Sequence, residues 1–290
     1  MPLLPRSTKM RETLSRRVFV ILNIVFLIVL CIVYIVPIWN VVITSVADDT
    51  DVQGNVYLLY PKSFTLKAYL RILDGGYFKA FMLTLVTSVI GTVLSIVFTV
   101  AAGYSLSQKN LIGRRVFMLL ITITLIFDVG IIPRYIVVSM YKMTNTYWAI
   151  FIPMLMSTFN LIIVRNYLST VPESLMESAR IDGCSEFGIL LRIIIPVAIP
   201  IIAAVTLFYF VLYWNRYTEI VMFINDQTKS TLQVLLRTLM FEGDSADSRV
   251  QIFDNFKMAV MVMGMLPVLV LYPFIQRYFI SGLMLGSIKG

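Results

Sequence analysis

The stretch of sequence that decides the fold is PESLMESARIDGCSEFGILLRIIIPVAIP, residues 172–200. Its first part predicts a short helix, because the opening proline suits the first helical position and Ser174 with Glu177 resembles a capping box. Gly183 fits the left-handed position that ends such a helix. A second helix is predicted from near Ser185, running straight into an apolar stretch. A loop that only joins two membrane spans would not need this arrangement.

Apolar runs dominate the chain on both sides of this stretch. The chain has 290 residues, of which 59% are hydrophobic, and its mean hydropathy is +0.86, well above that of soluble domains. Six runs approach or exceed the roughly 20 residues that cross a bilayer. The predicted fold is therefore an all-α polytopic membrane protein with six transmembrane helices. The predicted segments are a basic tail (1–17), a first transmembrane helix (18–42), an external loop (43–77), a core of five transmembrane helices (78–281) that contains the loop 172–192 and an external loop 214–257, and a tail (282–290).

The charge distribution predicts which ends of these helices face the cytoplasm. Together with Arg165 and Arg277 at the inner ends of their spans, the tails and loops assigned to the inner side hold 13 of the 24 Lys and Arg but only five of the 16 Asp and Glu. The whole net charge of +8 therefore falls on one side, as the positive-inside rule requires. Both termini are predicted to be cytoplasmic, and the high pI needs no nucleic-acid partner to explain it.

Several kinds of chemistry are excluded by composition. The sequence has no His, which rules out His metal ligands, a His general base and the H-E-x-x-H stretch of an intramembrane protease. Its two cysteines, Cys31 and Cys184, predict no structural disulfide. A P-loop is also missing, so the chain is not expected to bind ATP by that motif. We expect no catalytic site, no metal and no cofactor on this chain.

Spaced residues of the stretch 172–200 carry a resemblance to a known family. E-S-A at 177–179, Gly183 and Pro196 resemble the EAA loop of type I binding-protein-dependent ABC importer permeases, with Ser178 in place of the middle Ala. In that family the loop forms a coupling helix that docks on a separate ATPase subunit. The resemblance implies that the coupling residues are Glu173, Glu177, Ser178, Ala179, Arg180, Asp182, Gly183 and Pro196.

Three other stretches are similar to the carbohydrate branch of the same permeases. They are PKSFTLKAYL at 61–70, the segment 126–168 that begins IFDVGIIPRYI, and WNRYTEI at 214–220. The resemblance is to lipo-oligosaccharide- and alginate-type permeases of the bacterial cytoplasmic membrane. It implies import of an oligosaccharide, and its narrower implication is an acidic, alginate- or pectin-like one. The implied partners are a second, homologous permease, two ATPase subunits that hold ATP and Mg²⁺, and an extracytoplasmic solute-binding protein.

Polar and aromatic residues in the apolar runs predict a substrate path. Ionisable residues inside a span are functional candidates, and sugar sites combine aromatic rings with hydrogen-bonding groups. The predicted path residues are Asp128, Arg134, Asn160, Tyr209, Trp214 and Asn215. Two alternatives stay open: Asp128 pairs with Arg134 near an interface, or it is the ion site of a secondary transporter. Asn160 equally suits a hydrogen bond between helices.

Overall fold

The computed structural model describes residues 14–52, 57–242 and 254–287. Parts of the predicted tails, residues 1–13 and 288–290, lie outside this range, as do residues 243–253 of the predicted external loop. The described residues form helices and no β-strand, apart from an isolated antiparallel bridge between Ala47 and Phe64. The all-helical prediction is confirmed for this part of the chain.

The helices follow the apolar runs along the sequence. In chain order they are α1 (Leu14–Ser45), α2 (Asp49–Val52), α3 (Lys67–Asp74), α4 (Gly76–Ser107), α5 (Arg114–Ile126), α6 (Ile131–Met140), α7 (Trp148–Met154), α8 (Thr158–Leu168), α9 (Glu173–Ile181), α10 (Glu186–Ile189), α11 (Ile195–Val197), α12 (Ile199–Trp214), α13 (Thr218–Phe223), α14 (Leu232–Glu242) and α15 (Asp254–Ser287). A π-helical turn (Leu190–Ile194) joins α10 to α11, and a 3₁₀ turn (Gln227–Lys229) precedes α14.

The chain divides into two units. The smaller unit contains the described residues up to Ala68 and the start of α15, up to Ala259. In it, the Trp39 indole N–H donates to the Leu59 carbonyl at 3.0 Å, and Lys67 pairs with Asp48 at 3.2 Å. The larger unit contains the described residues 69–242 and the rest of α15 from Val260. Every predicted site residue belongs to this larger unit.

Close packing around α4 forms the core of the larger unit, where α4 lies against α8 and α12. Gly91 makes the approach of α12 possible, because a Cβ there would lie 2.7 Å from the Tyr213 ring. Gly103 does the same for α8, where a Cβ would lie 2.8 Å from Val164. Small residues allow such close helix contacts, and Gly91 and Gly103 are the residues of α4 that provide them.

Three of the predicted spans are bent pairs of helices rather than single helices. The bends are 118° between α5 and α6, 46° between α7 and α8, and 84° between the α10–α11 segment and α12. The first break has a local cause, since Gly130 is left-handed with φ +73° and its N–H binds Asp128 Oδ1 at 3.2 Å. The apolar run that contains Asp128 is therefore interrupted between α5 and α6.

The bend before α12 overturns the prediction of a helix running straight from Ser185 into the bilayer. Pro196 and Pro200 have no N–H for the i→i−4 ladder, so the carbonyls one turn earlier lose their normal partners. The ladder adapts with the π-helical turn and then breaks at Ala198, whose ψ is 2°. The 84° change of direction follows from these two prolines.

Length and composition allow between three and six membrane spans in the described residues. Three helices are long and apolar enough by themselves, namely α1, α4 and the part of α15 up to Gln276. The count reaches six if each bent pair crosses as one span. The six-span topology and the cytoplasmic side of both termini stay predictions.

Candidate functional site

Helix α9 ends in the glycine turn that the sequence predicted. Gly183 has φ +78°, its N–H donates to the Arg180 carbonyl at 3.1 Å, and the Cys184 N–H donates to the Ala179 carbonyl at 2.9 Å. These two bonds are the pair that defines a Schellman motif. The left-handed helix end at Gly183 is confirmed, and it sets the direction in which the chain leaves α9 toward α10.

The start of α9 differs from its prediction. The residue that precedes α9 is Pro172, and no side chain caps the helix there. Ser174 is the second residue of α9, so the predicted capping box with Glu177 is wrong. A cap does occur at the next helix, where Ser185 Oγ accepts the Gly188 N–H at 3.2 Å, in agreement with a helix predicted from near Ser185.

Ion pairs connect α9 with its neighbours, and we call Lys109, Glu173, Arg180 and Glu186 the α9 cluster. Lys109 Nζ donates to Glu173 Oε2 at 2.8 Å, which lowers the pKa of Glu173 and raises the pKa of Lys109. Arg180 Nε donates to Glu186 Oε1 at 2.7 Å, which raises the pKa of Arg180. Arg180 is thus bonded to Glu186 of the next helix and not to Glu177, which lies three residues earlier in α9.

The contacts of Glu186 extend this cluster to α4. Tyr104, near the end of α4, donates its hydroxyl to Glu186 Oε2 at 2.8 Å. Arg180 Nη2 also lies 3.4 Å from Gln108 Oε1. The carboxylate of one residue in α10 therefore holds side chains of α9 and α4 together.

One side of α9 is buried while the rest of its surface is exposed. Met176 and Ala179 are less than 9% exposed and pack against the core. Glu177, Ser178, Asp182 and the turn residue Gly183 lie on the surface. Three apolar side chains of this region are also exposed: Leu175 by 46%, Phe187 by 69% and Ile181 by 86%. Charged and apolar groups thus share one exposed surface.

A cavity of about 730 Å³ lies beyond the C-terminal end of α12. The 16 residues of α12 span about 24 Å, which separates this cavity from α10 and α11. Residues around the α5–α6 break, the α7–α8 break, the segment that follows α12, and α14 contribute to its wall. The lining residues are Asp128, Ile131, Arg134, Pro153, Met154, Met156, Ser157, Leu212, Asn215, Arg216, Tyr217, Thr218, Glu219 and Arg237.

Five of the lining residues are charged, and we call Asp128, Arg134, Arg216, Glu219 and Arg237 the cavity cluster. Arg134 bonds two carboxylates, with Nη2 3.3 Å from Asp128 Oδ1 and Nη1 3.4 Å from Glu219 Oε1. Arg216 pairs with the same Glu219 oxygen. The guanidinium carbon of Arg237 lies 4.3 Å from the centre of the Tyr217 ring. The cluster holds three cations and two anions.

The structure divides the predicted path residues into two groups. Asp128, Arg134 and Asn215 line the cavity together. Tyr209, Trp214 and Asn160 are buried, at 0%, 1% and 3% exposed, and none of them lines it.

The two buried aromatic residues of α12 have clear structural partners. The Tyr209 hydroxyl bonds Thr99 Oγ1 at 2.6 Å and accepts the Ser157 N–H at 2.9 Å. The Trp214 indole N–H donates to the Gly264 carbonyl at 2.9 Å. These bonds tie α12 to α4, to the α7–α8 break and to α15.

Four charged or aromatic residues of the cavity lining escaped the sequence prediction: Arg216, Tyr217, Glu219 and Arg237. The first three belong to the WNRYTEI stretch, where Arg216 and Glu219 are spaced i, i+3, so the pair had a local signal. Arg237 had only its i, i+4 spacing to Phe241 in α14, because Tyr217 meets it through the fold. It lies in the middle of a loop predicted as polar and external.

Long apolar helices, bent spans, an exposed glycine-terminated helix and a charged cavity together define a multi-pass membrane protein of the transport class. Over residues 6–284 the chain matches the family described as binding-protein-dependent transport system inner membrane component. The chain belongs to this family. Its members are transport permease subunits without an ATPase site of their own.

Curated relatives are similar along nearly their whole length. The polygalacturonan/rhamnogalacturonan transport system permease protein YtcP of Bacillus subtilis is 36% identical over 286 residues, which cover 96% of this chain and 100% of that protein. The arabinooligosaccharides transport system permease protein AraQ of Halalkalibacterium halodurans is 30% identical and covers 88% of this chain, with 91% of its own length matched. The relatives place the chain among sugar and oligosaccharide ABC importer permeases.

A solved structure supports the same assignment. It is the crystal structure of a bacterial ABC transporter involved in the import of the acidic polysaccharide alginate. One of its chains matches with a TM-score of 0.87 and 28% sequence identity, over 93% of this chain and 100% of that one. The fold is that of a type I ABC permease. Membership of this class implies a partner permease, an ATPase and a solute-binding protein.

Proposed function

We propose that this chain is a membrane-spanning permease subunit of an ABC importer that translocates an acidic oligosaccharide. A solute-binding protein would deliver the sugar to the cavity, and ATP hydrolysis on separate subunits would drive transport through α9. The observation that carries this proposal is the placement of an exposed, glycine-terminated helix before α12 and a cavity with excess positive charge beyond it. In this proposal ATP and Mg²⁺ belong to two ATPase subunits, and a second, homologous permease completes the pathway.

The surface of α9 suits docking into a groove on an ATPase subunit. Exposed Leu175 and Ile181 would supply apolar contact, while Glu177 and Asp182 would supply charge on the same surface. Isolated apolar side chains on a surface need no explanation, but an exposed apolar patch with a polar rim marks an interaction site. The buried residues Met176 and Ala179 would keep α9 packed against the core while the ATPase subunits move it.

Movement of α9 would reach the spans through its side-chain bonds. Arg180 connects α9 to Glu186, and Tyr104 connects the same carboxylate to α4. Closure of the ATPase subunits would thus move α10, the π-helical turn and α12 as well as α4. Coupling of this kind is reciprocal in free energy, so arrival of the sugar outside should raise ATPase activity inside.

The acidic substrate rests on the charge of the cavity and on the relatives' names. Polygalacturonan and alginate are polymers of uronic acids, and the names of two similar proteins refer to their transport. The cavity cluster has one more cation than anion, which favours a negatively charged guest. Asp128, Arg134 and Asn215 are the predicted path residues that would contact it. Asn160, Tyr209 and Trp214 would not contact the sugar and would support the path only through the helices in which they are buried.

Purification of the protein from detergent-solubilised native membranes, followed by mass spectrometry, tests the assembly. We expect a P-loop ATPase and a second permease in comparable amounts. Recovery of the protein alone, or as a homodimer without an ATPase, would contradict the importer assembly. Uptake of labelled oligogalacturonate by cells with and without the gene then tests the substrate, and equal uptake by both strains would count against it.

A further inference from the structure

The three arginines of the cavity cluster differ in how far their donors are used. Arg134 bonds two carboxylates, so its guanidinium is already engaged. Arg216 shares Glu219 with it, yet its buried Nε has no hydrogen-bond partner. Arg237 has no ion pair with any carboxylate whose side chain the structure describes, although it lines the same cavity.

Aromatic rings hold Arg237 in place without using its donors. Its guanidinium carbon is 4.3 Å from the centre of the Tyr217 ring and 5.4 Å from that of Phe241. Stacking on a ring orients the planar group but leaves its N–H donors at the edge. A guanidinium fixed in this way presents a fork that matches a carboxylate with two parallel hydrogen bonds.

We propose that Arg237, positioned by Tyr217 and Phe241, is the specificity-determining residue that binds a carboxylate of the transported sugar. Arg134 instead has a positioning role, since it joins the α5–α6 break to Glu219 and thereby keeps Asp128 and Arg216 at the cavity wall. The inference rests on the proposed function and refines it, because it assigns the carboxylate contact to Arg237 rather than to the path residue Arg134. The ligand class is an oligosaccharide with ionised uronic acid units.

Direct binding to the purified permease–ATPase complex, in the absence of the solute-binding protein, tests this assignment. The probes are trigalacturonate and its methyl ester, which has a similar sugar skeleton without the charges. For Arg237→Gln we expect the Kd of trigalacturonate to rise about tenfold, the scale of a charge-assisted hydrogen bond, while the Kd of the ester stays unchanged. The Kd of trigalacturonate for Arg237→Lys should lie between those of the wild type and Arg237→Gln, because Lys keeps the charge but lacks the two-pronged guanidinium.

A matched control and two opposite outcomes keep the test decisive. Lys142→Asn removes an exposed cation outside the cavity lining and should leave both affinities unchanged. Equal weakening of acid and ester binding in Arg237→Gln would overturn the specificity role, because it would reveal a general effect on the cavity. If the wild-type complex binds acid and ester equally well, the acidic substrate itself fails. That result differs from a failure of Arg237 alone.

Discussion

The α9 cluster and the cavity cluster are both charged, but they balance their charges differently. In the α9 cluster each cation has its own carboxylate, Lys109 with Glu173 and Arg180 with Glu186. In the cavity cluster two arginines share Glu219, and Arg237 is paired with no described carboxylate. Balanced pairs fix the positions of segments relative to each other, whereas spare donors around a cavity are free for a ligand. In the proposed function, this difference in charge balance separates the coupling contact at α9 from the sugar site at the cavity.

The largest effect is expected at the turn that orients the α9 cluster. Gly183→Val forces a β-branched residue to φ +78°, a strain of roughly 1–3 kcal/mol. Since about 1.4 kcal/mol is a factor of ten, this strain corresponds to a fall in sugar uptake of roughly fivefold to a hundredfold, while ATP hydrolysis becomes uncoupled from uptake. The measurements are uptake and ATPase activity in proteoliposomes that contain the whole complex.

Gly183→Asn is the matched control for this prediction. Beyond the two adjacent residues, no atom lies within 4 Å of a Cβ built on Gly183, so only backbone conformation opposes a side chain there, and Asn tolerates the left-handed region. Near-normal uptake is expected for Asn. Normal coupled uptake in the Val variant, with equal protein in the membrane, would count heavily against α9 as the coupling helix.

The next effect is expected in the helix between the two clusters. Tyr209→Phe removes the hydroxyl that bonds Thr99 and the Ser157 N–H, so the free energy of unfolding should fall by about 1–3 kcal/mol. Thermal unfolding in detergent measures this loss. Asn215→Ala, at an exposed cavity position, should leave the melting temperature nearly unchanged. A stable Tyr209→Phe protein with altered sugar preference would instead place Tyr209 on the path.

A smaller effect is expected when one pair of the α9 cluster is reversed. Arg180→Glu sets two carboxylates against each other in place of the 2.7 Å pair with Glu186. At a partly exposed pair the change is worth about 1 kcal/mol, so uptake per ATP hydrolysed should fall about threefold to fivefold. Adding Glu186→Arg should restore part of the loss. If the effects of Arg180→Glu and Glu186→Arg simply add in the double variant, the contact between the two residues does not contribute to coupling.

The smallest effect is expected at Lys109 and Glu173, which are exposed. The hydrogen bond lowers the pKa of Glu173 and raises that of Lys109. The contribution of Glu173 is present above the usual Glu pKa of 4.5 and is lost as the pH falls through its lowered value. The contribution of Lys109 is present below the usual Lys pKa of 10.5 and is lost as the pH rises through its raised value. The contribution of this pair to stability should therefore be constant between pH 6 and pH 8.

Substitution of Lys109 tests how little an exposed pair contributes. Lys109→Gln should leave the melting temperature within the error of measurement and should change uptake less than about twofold, because solvent screens the pair. A clear dependence of uptake on pH between 6 and 8, abolished in Lys109→Gln, would show that this pair matters more than its exposure suggests.

Much of the structure around α9 and α10 was predictable because its signals are local. Gly183 and Ser185 act on backbone within a few residues of themselves, so the helix end and the second helix start were found. The capping box failed for a local reason as well: α9 begins at Glu173, which places Ser174 inside the helix. The breaks near Gly130 and Pro196 were visible as residue types, but their bend angles depend on which neighbours accept the freed backbone groups.

By itself the sequence determined the membrane-spanning class, the family and the position of the glycine turn, because hydropathy, motif spacing and left-handed backbone are properties of short segments. Only the tertiary structure decided which polar residues meet. It buried Tyr209 and Trp214 in helix contacts and assembled Arg134, Glu219 and Arg237 from three distant parts of the chain. The reason is physical: whether a side chain lines a cavity or fills a core depends on the helices packed against it, and those neighbours lie far away in sequence.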